Sequence, residues 1–173
     1  MRWEELYDAA AEAEFAGEVA DRTRRERALV PLADRLRAST EPVTVGIAPQ
    51  TAITGAVCAV GADWILLTDD RGEVIVRTGA ILWVRGLPPE ARAETSAVAA
   101  RLDFGYALRV LARDRAAAVV QLVDGTTLTG TIDRVGRDAF DLAEHAADEP
   151  RRSGLVRSAR VVAFAAVTSV RRT

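Results

Sequence analysis

Gly55-Ala56-Val57-Cys58-Ala59-Val60-Gly61-Ala62-Asp63 and Gly130-Thr131-Ile132-Asp133-Arg134-Val135-Gly136-Arg137-Asp138 are two writings of one pattern, Gly-x-[Val/Ile]-x-x-Val-Gly-x-Asp, set 75 residues apart. A fixed offset holding over many positions marks an internal repeat. The same offset pairs Ile53 with Leu128, Thr54 with Thr129, Ile65 with Phe140 and Leu67 with Leu142. Upstream it pairs Leu36 with Leu111, Val45 with Val120 and Ile47 with Leu122. Downstream the offset becomes 86, joining Ile75 and Val76 to Val161 and Val162, and Ile81 and Val84 to Val167 and Val170. The second copy therefore carries 11 extra residues between its third and fourth strands.

Within each copy the apolar positions alternate, which sends successive side chains to opposite faces of a strand. In the second copy Val120 and Leu122 precede Asp124-Gly125, a tight-turn pair, and Leu128, Gly130 and Ile132 return. A glycine in mid-strand predicts sharp coiling or a close backbone approach. Val135-Gly136-Arg137-Asp138 turns into a third strand with Phe140 and Leu142, and the first copy repeats this over Val43–Ile47, Ile53–Val60 and Trp64–Leu67. Val74–Arg77 with Ile81–Val84, and Val161–Phe164 with Val167–Val170, are expected to close the two units. The expected fold class is mainly β with helices (α+β), as two tandem five-stranded small barrels.

A helix should introduce each unit. Asp103 is the predicted N-cap of one, with Phe104, Ala107, Leu108 and Leu111 as its apolar stripe. Pro31 suits the first turn of the other, with Leu32, Ala33 and Leu36 facing inward. Residues 1–28 read as a separate amphipathic helix, acidic early and arginine-rich late, as the helix dipole favours. The expected division is thus an N-terminal helix over 1–28, a barrel over 29–86, a helical connector over 87–103 and a second barrel over 104–173. The second barrel holds an expanded loop at 143–158.

The chain has 173 residues, 49% of them hydrophobic, with charges nearly balanced, which suits a folded protein. No apolar run reaches the ~20 residues that span a bilayer, and the acidic N-terminus lacks a secretory pattern, so the expected location is cytoplasmic and off the membrane. Cys58 is the single cysteine, so no disulfide can form within one chain. Lys and Asn are both absent, which points to a GC-rich genome and lowers the weight of arginine as a nucleic-acid signal.

Val120, Leu122, Asp124, Gly125, Leu128, Gly130 and Ile132, followed by Phe140 and Leu142, resemble the strand-turn-strand pattern of Sm-like proteins, the branch of small SH3-type barrels introduced by a helix. The likeness covers roughly residues 29–86 and 104–172, with Pro49-Gln50 standing where the first copy would need Asp-Gly. The whole chain is also similar to proteins of high-GC actinobacteria. The Sm-like resemblance implies rings joined by strand-edge pairing and RNA bound at loops. The loop asparagine of that family is missing from Val60-Gly61-Ala62-Asp63 and Val135-Gly136-Arg137-Asp138.

No Ser-His-Asp set, phosphate-cradling glycine loop or zinc spacing occurs, so the chain is read as non-enzymatic, with no catalytic residue, cofactor or metal. His145, the lone histidine, is expected to be solvated in the expanded loop, and Cys58 to be an inert small hydrophobe on a strand face. Asp63 and Asp138 are assigned to turn chemistry. From residue 104 onward there are 11 Arg against 8 acidic residues, while residues 1–103 carry 12 against 17. Arg134, Arg137, Arg151, Arg152, Arg157 and Arg160 are the candidate nucleic-acid contacts. Trp3, Tyr7, Trp64 and Trp83 are the candidate partner contacts; burial between the barrels is the other reading of Trp64 and Trp83. The leading functional expectation is a tandem module that binds RNA weakly or helps assemble an RNA-associated complex. The alternative is a protein–protein adaptor or homo-oligomeric scaffold using the N-terminal helix and barrel edges.

Overall fold

The computed structural model of the chain describes Glu14, Phe15, Glu18 and residues 21–146 and 158–173. Residues 21–28 are helical. After them come α1 (Leu32–Ala38), β1 (Val43–Ile47), β2 (Thr51–Val60), β3 (Trp64–Asp69), β4 (Gly72–Arg77) and β5 (Ile81–Arg85). A connector leads to α2 (Phe104–Asp114), then β6 (Ala117–Leu122), β7 (Thr127–Val135), β8 (Ala139–Glu144), β9 (Ser158–Ala163) and β10 (Val167–Arg172). The architecture is mainly β with helices, and all strand pairs are antiparallel.

The strands form one ten-stranded sheet in the order β5-β1-β2-β3-β4-β10-β6-β7-β8-β9. Each half thus runs fifth, first, second, third, fourth, and the sequence repeat reappears in the register. Val43 faces Gly55 as Ala118 faces Gly130, Val45 faces Val84 as Val120 faces Val170, and Thr68 faces Glu73 as Ala143 faces Ala159. Irregularities recur at equivalent places: Cys58 and Asp133 are each skipped in a second-to-third strand pairing, and Leu82 and Thr168 in a first-to-fifth pairing. A 3₁₀ turn separates fourth from fifth strand in both halves, at Thr78–Ala80 and Phe164–Ala166.

Gly55 and Gly130 are required at their positions. A Cβ on Gly55 would lie 2.6 Å from the Thr68 carbonyl oxygen, and one on Gly130 would lie 2.1 Å from that of Ala143. The backbones of second and third strand cross too closely there for any side chain, as the mid-strand glycines predict. The Asp124-Gly125 turn also forms as expected: Asp124 accepts from the Thr126 amide at 2.9 Å, and Gly125 takes φ +88°. That amide holds the Asp124 carboxyl below its usual range.

Two apolar cores fill the two halves. One gathers Leu36, Val43, Val45, Ile47, Ile65, Leu67, Val74 and Val76. The other gathers Phe104, Leu108, Val120, Phe140, Leu142, Val167 and Val170, and it also takes in Trp64 and Ile75 from the first half. Each fully buried Leu or Phe in such a cluster contributes about 1.5–3 kcal/mol. Asp103 caps α2 as expected, accepting from the Tyr106 amide at 2.7 Å.

Several expectations are corrected. The halves are not separately closed barrels: β4 pairs with β10 rather than β5, because each 3₁₀ turn carries the fifth strand to the far side of the first strand, leaving the fourth strand's outer edge open. The connector at 87–103 is not helical beyond a 3₁₀ turn at Ala99–Arg101. It lies along α1 instead, with Arg35 donating to the Pro88 carbonyl and the Arg92 amide to that of Asp34. Leu32 is exposed and only Leu36 of α1 is fully buried, since seven residues give two turns and one inward position suffices. The expanded loop is shorter than 143–158, because β8 runs to Glu144 and β9 starts at Ser158.

Candidate interaction edges and the joint between the halves

The junction of β4 with β10 sets Ser169 opposite Val76, Val170 opposite Ile75 and Arg171 opposite Val74. Beside it, Arg171 grips Asp69 with both guanidinium nitrogens, Nη1 to Oδ1 at 2.8 Å and Nη2 to Oδ2 at 2.7 Å. A planar fork on a carboxylate is the strongest common ion-pair geometry. It holds the Asp69 carboxyl below its ordinary value of 3.8, aided by the Arg71 amide and opposed by burial. A carboxylate with a depressed pKa stabilises the fold above its ordinary value and loses that contribution as pH falls through the lower folded value. Wild type should therefore exceed Asp69→Asn in urea midpoint at pH 5 and above, and the gap should shrink on acidification below about 3.8. A gap that widened on acidification would contradict this assignment.

Further contacts cross the same joint. The Trp64 indole N–H donates to the Leu102 carbonyl at 2.9 Å, and Asp63 accepts from the Phe104 amide at 2.6 Å. Asp63 thus serves the start of α2 in the other half, where turn chemistry alone was expected. Arg77 donates to the Phe164 carbonyl at 2.6 Å, its guanidinium 5.7 Å from the Phe104 ring centre. Trp64 is correspondingly buried. Its assignment as a partner contact is corrected, and the reading that buries it between the halves holds.

The two strands left at the ends of the sheet are β5 and β9. Natural edge strands are usually defended by charge, proline or brevity. Here β5 reads Ile-Leu-Trp-Val-Arg and β9 reads Ser-Ala-Arg-Val-Val-Ala. On β5, Leu82 is 64% and Trp83 45% exposed; their equivalents inside the joint, Thr168 and Ser169, are 0% and 6%. On β9, Val161 is 76% exposed, whereas its equivalent Ile75 is 7%. The free edges therefore expose apolar residues at positions that strand pairing covers elsewhere in the same molecule. Arg85 stacks on Trp83 at 5.6 Å and has no carboxylate partner among the described residues.

The remaining candidates are dispersed. Arg160 pairs with Glu144 at 2.8 Å. Arg134, near the end of β7, and Arg137, on the β7–β8 turn, are exposed, in sequence beside Asp133 and Asp138, which offset their charge. Trp3, Tyr7, Arg151, Arg152 and Arg157 lie outside the described residues. His145 is not solvated but buried: Nδ1 meets the Ala146 carbonyl and Nε2 the Thr131 hydroxyl, each at 2.8 Å. In the neutral ring Nδ1 donates, so Nε2 accepts the hydroxyl proton. Thr131 is itself buried, and the ring's other partner is a backbone carbonyl. Cys58 sits exposed at the β2 irregularity, 3.1 Å from the Thr68 hydroxyl. Among the described residues no His, Cys, Asp and Glu group could hold a metal, and no helix is long and apolar enough to cross a membrane.

The signal that sequence reasoning missed was the pairing of unlike strands across the repeat, since its two partners lie about 95 residues apart with no shared spacing. Comparison of the chain with family models, curated proteins and solved structures returned no match.

Proposed function

We propose that the chain is a non-catalytic, cytoplasmic tandem module of the Sm-like kind that works as an assembly scaffold, accepting further strands at β5 and β9. Supporting the Sm-like reading are the fifth-first-second-third-fourth strand order in each half, the 3₁₀ turn before each fifth strand and the helix ahead of each half. The observation that carries the scaffold reading is the contrast between covered joint and sheet ends: Ile75, beside β10, is buried, while its counterpart Val161 on β9 is 76% exposed. Strand addition supplies affinity through main-chain hydrogen bonds and specificity through alternate side chains.

The test uses peptides copied from the joint. A peptide of residues 167–172 should add to β9, and one of residues 72–77 should add to β5, each slowing amide exchange along the strand it covers. Peptides that leave exchange at both edges unchanged would end the scaffold reading. Weak RNA binding is the competing outcome. It predicts single-stranded RNA affinity that falls steeply with salt and weakens in an Arg134→Ala, Arg137→Ala double variant. The scaffold reading predicts no such dependence in fluorescence anisotropy.

A further inference from the structure

We infer that the cavity between α1, β2 and the connector is a binding site for a small monocarboxylate with a short apolar tail. The site belongs to the first half alone and stands apart from the scaffold reading.

The cavity has a volume of about 330 Å³ and is lined by Leu36 and Arg37 of α1, Val57 and Cys58 of β2, and Arg92 and Glu94 of the connector. That volume lies at the small end of the range for ligand pockets. Three elements meet here because the connector runs back along α1: the Arg92 amide donates to the Asp34 carbonyl at 2.8 Å, and Arg35 donates to the Pro88 carbonyl. One wall is apolar, since Leu36 is fully buried and Val57 packs against the same core. The repeat has diverged at this place. An offset of 75 puts Ala112 where Arg37 stands and Asp133 where Cys58 stands, so the second half has lost the guanidinium and gained a carboxylate.

The polar wall asks for an oxyanion. Arg37 is held by Asp34, Nη1 to Oδ1 at 2.6 Å, and its side chain is 15% exposed. Its Nε is buried without a hydrogen-bond partner: Glu94 Oε2 stands 3.5 Å away without hydrogen-bond geometry, while Glu94 Oε1 accepts from the Ser96 amide at 2.7 Å. A buried donor left unpaired is costly, and more so when it is charged. Arg92 is exposed, and its guanidinium has no carboxylate partner among the described residues. A ligand carboxylate that moves Glu94 aside would complete the bond from Arg37 Nε, with Arg92 as a second charged donor. Charge then sets the class of ligand. With Glu94 displaced, Arg37, Arg92 and Asp34 leave one net positive charge, which a single carboxylate matches. A phosphate, carrying about −1.5 to −2, would leave negative charge in excess. The tail lies against Leu36 and Val57.

Cys58 is the single cysteine of the chain and is exposed in the cavity wall, so its alkylation by N-ethylmaleimide, a neutral reagent, reports occupancy. Hexanoate should slow alkylation saturably. Hexanamide, which has the tail without the charge, should not, and hexyl phosphate should protect less. Arg92→Gln should weaken hexanoate protection about fivefold, the upper worth of an exposed ion pair. Glu94→Gln removes the competing carboxylate and should strengthen protection. Circular dichroism verifies that both variants are folded. Should Glu94→Gln loosen the connector, the series wild type, Arg92→Gln, Arg92→Glu reads the same contact, protection falling in that order. An alkylation rate that hexanoate leaves unchanged even at millimolar concentration would overturn the site. Equal protection by hexanoate and hexanamide, or stronger protection by hexyl phosphate, would overturn the monocarboxylate assignment. Hexanoate protection that the Arg92 variants leave untouched would place the ligand elsewhere and overturn the inference as well.

Discussion

Trp64→Ala is expected to destabilise the chain by about 4 kcal/mol, the range for deleting a large buried aromatic. For a chain of this size that lowers Tm by roughly 10 °C. The indole is built into the joint: it belongs to the second core although it starts a strand of the first half, and its N–H reaches the Leu102 carbonyl. Its seat is shaped for it, since a Cβ on Gly61 would come within 2.1 Å of the indole nitrogen. Trp64→Phe keeps most of the ring and gives up the hydrogen bond. The Leu102 carbonyl retains the Ala62 amide at 2.9 Å, so the cost should fall to about 1 kcal/mol. Paired thermal melts of the two variants separate packing from hydrogen bonding. Equal losses would contradict a mainly packed role.

The second large effect belongs to Gly130→Ala. The added methyl meets the Ala143 carbonyl, which is backbone within a paired strand and cannot swing aside. A cost of about 3 kcal/mol follows, the upper range for overpacking, with a comparable loss for Gly55→Ala against Thr68. Gly79→Ala is the control: nothing lies within 4 Å of its Cβ, so its change should stay within about 0.5 kcal/mol. Urea midpoints at neutral pH measure all three. A neutral Gly130→Ala would mean that second and third strands do not cross there.

These two predictions differ in how readable their sites were. Gly130 was legible from sequence because a glycine interrupting an alternating strand has few explanations, and its counterpart Gly55 repeated it. The Asp103 cap and the Phe104-Ala107-Leu108 stripe were legible because capping and helical periodicity are local. Trp64 was ambiguous, since period two sends it to one face of β3 without saying what covers that face. The β4–β10 pairing was not legible: alternation is compatible with any neighbour, and the short link from β4 to β5 suggested a hairpin. The 3₁₀ turns at Thr78–Ala80 and Phe164–Ala166 redirect the chain, and nothing in Thr-Gly-Ala or Phe-Ala-Ala signals that. His145 was misjudged because an expanded loop implies solvent, whereas β8 delivers it against Thr131.

Candidate edges followed from the same gap. Val161 looks alike in sequence to the buried Ile75 that it mirrors, and Leu82 and Trp83 stand where the joint buries Thr168 and Ser169, so the contrast between joint and free end identifies the edges. The arginines that charge counting favoured divide differently in space. Arg160 and Arg171 are committed to carboxylates, and Arg85, which charge counting passed over, is left at the sheet's end.

Cross-strand nuclear Overhauser effects in dilute solution test most directly whether two five-stranded halves share one sheet through their unlike edges. Contacts should link Val74, Ile75 and Val76 with Arg171, Val170 and Ser169 respectively. Contacts linking Val74–Val76 to Ile81–Val84 instead would mean two separately closed sheets and would contradict the joint from which both edge assignments descend.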